Sequence, residues 1–429
     1  MSGSILIADA RDDGQSGARR LPTMTQRLFR AGILARLRGL RAGAIRLRDV
    51  FGETVLGDSA GPLGTVAMDV VDPDFWSAVA TGGDVGAGEA FVAGQWRSQD
   101  LVRLMQLFVR DRAVLLGVHE TFWSLPRRWL LRAGQWLRRN NRGGSKRNIA
   151  DHYDLGDELF AHFLDPTMTY SSAWFERPDQ SLLEAQQHKL RRLCRLVDLQ
   201  PGDRLLEIGT GWGSLAMCAA GEFGAQVTTT TISQNQHDRA RQRIADANLA
   251  DRVTVVQQDY RDLRGTHDKL LSCEMVEAVG ARFLPTYLKV CAQRLRPGGV
   301  LGLQAITIAH QHYAEALRMV DYIRRHVFPG SFIPSIQAIA AAASEHTDLR
   351  LEYCEDFGHH YATTLQRWRE TVLGSPGPFL RRGGEGLVRA WEYYFAYCEA
   401  GFRERHIGVS HLRFRRVGGY GSSAAAGAS

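Results

Sequence analysis

The stretch LLEIGTGWGSLA at residues 205–216 sets glycines at 209, 211 and 213 directly behind an apolar run that carries an acid, Glu207. Leu205 to Ile208 reads as a strand and Ser214 to Glu222 is rich in helix formers, so the glycines mark a tight strand-to-helix turn. Glycine belongs there because the backbone must turn sharply and lie close against a ligand, which a Cβ would obstruct. A dinucleotide-binding turn has the spacing G-x-G-x-x-G and an acid about 20 residues on for the ribose hydroxyls. Here Ser214 stands in the third glycine's slot, Glu207 would sit near any phosphate, and the next strand, 226–232, ends in threonines with no acid at its tip. Pyrophosphate is therefore a poor fit, whereas a ligand carrying positive charge suits Glu207. The bland alternative is a glycine-rich turn that only packs a helix on a sheet.

Strand and helix signals alternate beyond residue 200, as a doubly wound sheet requires. Strands are predicted at 204–208, 226–232, 252–258, 269–274 and 299–306, with a pair near 349–355 and 407–415. The expected fold is α/β, with a mostly parallel seven-stranded sheet and a smaller, mixed, mainly helical N-terminal domain. Its expected parts are a disordered start (1–24), an N-terminal domain (25–139), a linker NNRGGSKRN (140–148), a catalytic domain (149–417) and a disordered tail (418–429). A chain of 429 residues accommodates two or three domains.

The six cysteines, at 194, 218, 273, 291, 354 and 398, show no CxxC pairing. Neither a disulfide framework nor a metal site is expected, and a reducing cytoplasm is the natural home. No run approaches the roughly 18 apolar residues of a membrane span, and no secretory signal is expected. The net charge of +7 is unevenly placed: residues 1–150 hold 22 Lys and Arg against 14 Asp and Glu, and residues 151–429 hold 31 against 32. Leu28, Ile33, Leu37 and Leu40 recur at helical spacing among Arg27, Arg30, Arg36, Arg38 and Arg41. A second segment, 124–148, sets Trp129 and Trp136 among eight Arg and Lys residues. Tryptophan and arginine on amphipathic helices suit an anionic bilayer surface. A solvated helix with its tryptophans in the core is the alternative, and nucleic acid ranks below both because no reading motif accompanies the arginines.

The E-x-G-x-G-x-G turn resembles that of class I S-adenosylmethionine-dependent methyltransferases, whose cofactor brings an ammonium and a sulfonium. More specifically, IADHYDLGDELFAHFLDPTMTYSSAWF (149–175), the glycine turn, TISQNQ (231–236), CEMVEAVG (273–280), VFPGSFIPS (327–335) and FGHHYATTLQRW (357–368) resemble, in order, the cyclopropane-fatty-acyl-phospholipid synthases. GEAFVAGQW (88–96) matches the family's N-terminal domain more loosely. The resemblance implies transfer of a methylene group from S-adenosylmethionine to the cis double bond of a phospholipid acyl chain, forming a cyclopropane through a carbocation. The enzyme would work peripherally at the inner face of the membrane; a homodimer stays open.

By the same resemblance Tyr170 and Ser171 lie near the cofactor's amino-acid moiety, with Glu207, Gly209, Gly211 and Gly213 along it. Thr231 and Gln236 fall around the ribose, and Asp259 and Tyr260 by the adenine; Asp259 has an alternative role as a turn cap. A base must remove a proton from the transferred methyl, and the resemblance implies a bicarbonate held by Glu277, Tyr361, Ser172 and Ile308. Glu277 is preferred over Glu274 as the active-site acid, with a helix-start role as its alternative. Two positions depart from the family pattern: Ser172 stands for a cysteine, and Ile306 for a histidine. Isoleucine offers no polar side chain, so the anion is held by fewer groups, or differently, or the proton leaves by another route. Gln304 lies one pleat away on the same strand face. Tyr170, Trp174, Phe332, Tyr361, Tyr394 and Phe395 are candidates to shelter a cation, each with core packing as its alternative. Related enzymes give methyl-branched or methylene-bearing chains, and a small-molecule acceptor is a further alternative.

Overall fold

The computed structural model describes residues 20–114 and 156–418. They divide between two compact units: residues 20–114 with Val320–Pro329 and Leu365–His406, and residues 156–319 with Gly330–Thr364 and 407–418. The second basic segment, the expected linker at 140–148, residues 1–19 and residues 419–429 lie outside the described residues.

In the first unit, α1 (Met24–Leu37) starts at Thr23, where the Thr23 hydroxyl and the Gln26 side chain cap each other's backbone N–H groups. After it come β1 (Ala44–Asp49), β2 (Gly52–Gly57), β3 (Thr65–Val70), α2 (Asp74–Val92), β4 (Trp96–Arg97) and α3 (Leu101–Arg110). The strands form a sheet of order β2-β1-β3-β4. The helical spacing of Leu28, Ile33, Leu37 and Leu40 suggests one apolar face, but the structure splits it. Ile33, Leu34, Leu37 and Leu40 are buried, whereas Leu28 is 68% exposed, and Met24 and Leu21 are 74% and 70% exposed. The reason is geometric: Leu28 lies five residues before Ile33, a rotation of about 140° at 3.6 residues per turn, on the outer side of the helix.

The second unit runs through α4 (Asp157–Phe163), α5 (Leu182–Leu196), β5 (Arg204–Ile208), α6 (Ser214–Phe223), β6 (Gln226–Thr231), α7 (Gln234–Asp246), β7 (Val253–Gln257), β8 (His267–Cys273), α8 (Leu284–Arg294), β9 (Leu295–Ile308), α9 (His310–Arg318), α10 (Ile336–His346) and β10 (Leu349–Asp356). Helix α11 (Gly358–Gly374) begins here, α12 (Gly377–Arg403) belongs to the first unit, and β11 (Ile407–Arg416) returns to the sheet. All seven predicted strands are present.

The sheet order is β10-β11-β9-β8-β5-β6-β7. Strands β9, β8, β5, β6 and β7 are mutually parallel, and β11 pairs antiparallel with both β9 and β10. The central strands are buried on both sides, so alternate residues feed different cores. Leu206, Leu270 and Leu301 join Tyr287 and Leu288 of α8, while Leu205, Leu271 and Val300 join Leu193 of α5 and Ala219 of α6. Each such leucine contributes about 1.5–3 kcal/mol of burial free energy. From β5 the chain winds outward through β6 to β7, then returns to β8 on the other side of β5. Ligands of open α/β sheets bind outside the strand carboxyl ends at this reversal.

Candidate active site

Two tight turns leave the sheet at the reversal. After β5, Gly209 (φ +105°), Gly211 (φ +52°) and Gly213 (φ +89°) take the backbone through left-handed conformations. The turn is tied to β6 by Gly209 and Thr210 N–H groups donating to the Thr230 carbonyl at 3.0 and 3.1 Å. A Cβ on Gly209 would sit 3.2 Å from Met275 Cγ, and one on Gly211 would meet no atom within 4 Å, so Gly211 faces open space. Behind the turn Glu207 is buried, and its Oε2 has no hydrogen-bond partner among the described residues. Burial pushes its carboxyl up to about 8, against a Thr229 hydrogen bond and the nearby Lys189 charge. A glycine cradle backed by a buried acid with one unpaired oxygen fits a ligand with a cationic end, as S-adenosylmethionine has.

After β8, Glu274 adopts φ +48°, a conformation that costs a non-glycine residue about 1–2 kcal/mol. Its carboxylate is a hub. Oε1 accepts from the Ser172 N–H (2.9 Å) and Gln304 Nε2 (2.8 Å), and Oε2 accepts from the Tyr361 hydroxyl (2.8 Å). Gln304 is oriented in turn by His411, whose Nε2 lies 3.0 Å from Gln304 Oε1. His411 is buried against Trp174 and Phe357, and its pKa falls to about 3, so it stays neutral. Burial also moves the Glu274 carboxyl upward.

Glu277 follows in a short 3-10 turn, Val276–Ala278. Its Oε1 accepts from the Ile306 N–H at 2.5 Å, and its Oε2 has no partner among the described residues. Burial first, then the charge of Glu274, pushes its carboxyl up to about 8. Two carboxyls that repel each other in a desolvated pocket cannot both ionise freely, so the pair tends to hold a proton.

Tyr361, Ser172 and Gln304 all converge on Glu274, whereas Glu277 meets the Ile306 N–H. The four groups expected around a bicarbonate are disposed differently. Tyr361 is committed to Glu274, the Ser172 hydroxyl donates to the Ala173 carbonyl at 2.9 Å, and the Ile308 N–H donates to the Pro334 carbonyl at 2.9 Å. Ile308 therefore takes no part in the cluster. Ile306 does, through its backbone.

Lys189, which stands in no motif of the sequence, is wholly buried on α5. Its Nζ donates to Ser171 Oγ at 2.6 Å and lies 3.6 Å from Cys273 Sγ. One turn earlier, buried Gln186 donates to the Thr169 and Ser171 carbonyls at 3.2 and 2.8 Å. Together these two side chains fix the segment bearing Tyr170, Ser171 and Ser172. The available signal was the placement of polar Gln186 and Lys189 at i and i+3, in line with Leu190 and Leu193 on the buried face of α5.

Around the remaining predicted positions, Thr231 donates to Gln236 Oε1 at 2.9 Å, pairing the two expected ribose groups. Asp259 caps a 3-10 turn and is bridged to Arg261 at 2.6 Å, which is the alternative role foreseen for it. Tyr260 packs edge-on against Tyr287. Of the aromatic candidates, Tyr170 packs on Phe160 and Phe163, Trp174 carries the Arg192 guanidinium 3.7 Å over its ring, and Phe332 is core. Tyr394 and Phe395 pack with Trp391 in the first unit.

Residues 141–412 match the model of the mycolic acid cyclopropane synthetase family. A tuberculostearic acid methyltransferase of Mycobacterium tuberculosis is 39% identical over 346 residues, 78% of this chain and 80% of that one. The cyclopropane-fatty-acyl-phospholipid synthase of Escherichia coli K12 is 33% identical over 350 residues, 81% of this chain and 87% of that one. A crystal structure of a mycolic acid cyclopropane synthase complexed with SAH and CTAB superimposes with a TM-score of 0.59 at 29% identity, covering 63% of this chain and 98% of that one.

Proposed function

The chain belongs to the mycolic acid cyclopropane synthetase family of S-adenosylmethionine-dependent enzymes, and from that premise we propose that it alkylates the cis double bond of an unsaturated phospholipid acyl chain and closes a cyclopropane ring. The observation that carries this reading is the partly buried pair Glu274 and Glu277 beside the cofactor turn. An alkene is a weak nucleophile and its alkylation product is an acid at carbon, so the site must supply positioning, exclude water and accept a proton. Positioning alone contributes about 7–11 kcal/mol in the best cases.

S-adenosylmethionine supplies an activated methyl group on sulfur. Gly209, Gly211 and Glu207 would receive its charged end, Tyr170 and Ser171 close over its amino-acid moiety, and Thr231 with Gln236 hold the ribose. The carboxyl pair takes the proton, and the surrounding apolar groups keep water from the cation. A second reading, a methylene-bearing or methyl-branched product, is favoured by the 39% identical relative named as a methyltransferase. A hydride shift that moves the cation to the methyl-bearing carbon before the methyl loses its proton gives the methylene instead of the ring, and a saturated methyl branch needs a separate hydride donor.

The outward apolar face of α1 supports action at a bilayer surface. Residues 20–41 contain six arginines and no acid, Arg20 and Arg30 being paired with Asp74 and Asp49, and Leu21, Met24 and Leu28 stand exposed among them, a pattern suited to anionic lipid. No helix among the described residues is long and apolar enough to cross a membrane.

The test is turnover on liposomes of unsaturated phospholipid. A gain of 14 mass units per acyl chain, with high-field ring protons in the NMR spectrum, is expected; olefinic methylene protons would select the second reading. Methyl transfer confined to soluble acceptors would refute both.

A further inference from the structure

The hydrogen-bond donors that would seat an external anionic base already hold a carboxylate of the chain itself. Tyr361 OH, the Ser172 N–H and Gln304 Nε2 all point at Glu274, with His411 fixing Gln304 from behind. Two of those donors, Tyr361 and Ser172, are among the groups that a bicarbonate was expected to use, and a third expected group, the Ile308 N–H, is turned to Pro334. A bicarbonate placed here would be a further anion beside Glu274 and Glu277 in a desolvated pocket where, among the described residues, Lys189 is a cation bearing on Glu274. The residues present do not fit it.

We propose that Glu274 is the catalytic base of the reaction and makes an external bicarbonate unnecessary. This assignment rests on the alkylation reading above. Both species present the same O–C–O anion, and the left-handed backbone at Glu274 turns the side chain into the position that a diffusible anion would need. Three donors and the nearby ammonium favour its ionised form, while burial raises its basicity.

The step balances as follows. The alkene π pair forms a bond to the methyl carbon, the sulfur–carbon pair stays on sulfur to leave a neutral thioether, and the second alkene carbon becomes cationic. Glu274 then removes one proton from the transferred methyl, and the released C–H pair closes the ring. The proton passes from Glu274 to solvent before the next turnover.

The experiment measures turnover on dioleoyl-phosphatidylglycerol liposomes, in buffer stripped of carbon dioxide and in buffer with added bicarbonate, alongside calorimetric S-adenosylmethionine binding. Wild type is expected to be indifferent to bicarbonate. Glu274→Gln should lose about 10²–10⁴-fold in turnover with cofactor affinity changed less than threefold. Glu274→Gly suits the positive φ, folds without strain there and empties the seat, so added bicarbonate should restore part of its activity. A wild type that needs bicarbonate, a Glu274→Gln enzyme within tenfold of wild type, or a folded Glu274→Gly enzyme that bicarbonate does not rescue overturns the assignment. A wild type inactive on every lipid sinks instead the reading on which the assignment stands, and the assignment with it.

Discussion

Cofactor binding should expel a proton from Glu207. In the ligand-free protein burial holds this carboxyl at about 8, so at pH 7 about nine molecules in ten carry the proton. A positive charge brought within about 4–5 Å at an effective dielectric of 20 is worth roughly 3–4 kcal/mol to the ionised form, or about 2–3 pKa units. The carboxyl would then titrate near 5–6, and binding at pH 7 would release about 0.8–0.9 proton per cofactor. Calorimetry in buffers of different ionisation enthalpy reads that number as the slope of observed heat. Because the bound form has the lower pKa, affinity should rise with pH between the two values and level off above about 8. Deprotonation at pH 7 costs about 1.4 kcal/mol of the gain, so Glu207→Gln should weaken binding by about 2 kcal/mol, or roughly thirtyfold, and abolish the proton release. Equal heats in all buffers, or an undiminished slope in Glu207→Gln, would refute the reasoning.

Glu207 and Glu277 together make the ligand-free fold sensitive to pH. Both hold protons to about 8 that the unfolded chain gives up near 4.5, so between pH 6.5 and 8 stability should fall as pH rises, by at most about 1.4 kcal/mol per unit for each carboxyl; thermal melts of wild type and of Glu207→Gln/Glu277→Gln test this, the double variant giving the flatter profile. Lys189→Met removes the ammonium that anchors Ser171 and faces Glu207 and Glu274. Its melting temperature should drop more at pH 8 than at pH 6, because protonation relieves the stranded carboxylates at the lower pH. Gly209→Ala places a methyl against Met275 at φ +105° and should cost about 1–2 kcal/mol of stability together with cofactor affinity, read by melting and calorimetry. Met24→Asp with Leu28→Asp should reduce co-sedimentation with anionic liposomes while leaving the melting temperature within a degree or two.

Much of the second unit is written in local pattern. Its strands carry apolar runs bounded by glycine and proline, the glycine turn can be read from spacing alone, and the positions of Ser171, Glu277 and Tyr361 follow from motif order. What escaped is what depends on long-range neighbours. Glu274 and Glu277 are indistinguishable as letters three apart; only the arrival of Tyr361, 87 residues later, and of Gln304 from β9 separates them. At β9 the missing polar group was sought at Ile306, yet Gln304, one pleat earlier, carries the polar side chain and Ile306 contributes its amide. Lys189 looks like an ordinary surface lysine because burying it makes sense only with Ser171, Glu207 and Glu274 around it. Leu28 misled in the opposite direction, since an apolar letter near helical spacing does not reveal whether protein or something else covers it.

The first unit opens at the start of the described residues and is completed only by Val320–Pro329 and Leu365–His406, the last of these bringing α12 with buried Phe379, Leu387, Trp391, Phe395 and Phe402. During synthesis it must wait, partly built, until the ribosome has passed residue 406 of 429, although its first segment emerged long before. A fragment cut near residue 150 would leave the aromatic side of α12 bare and prone to clump, so the early segment and the late helix should fold only when both are present.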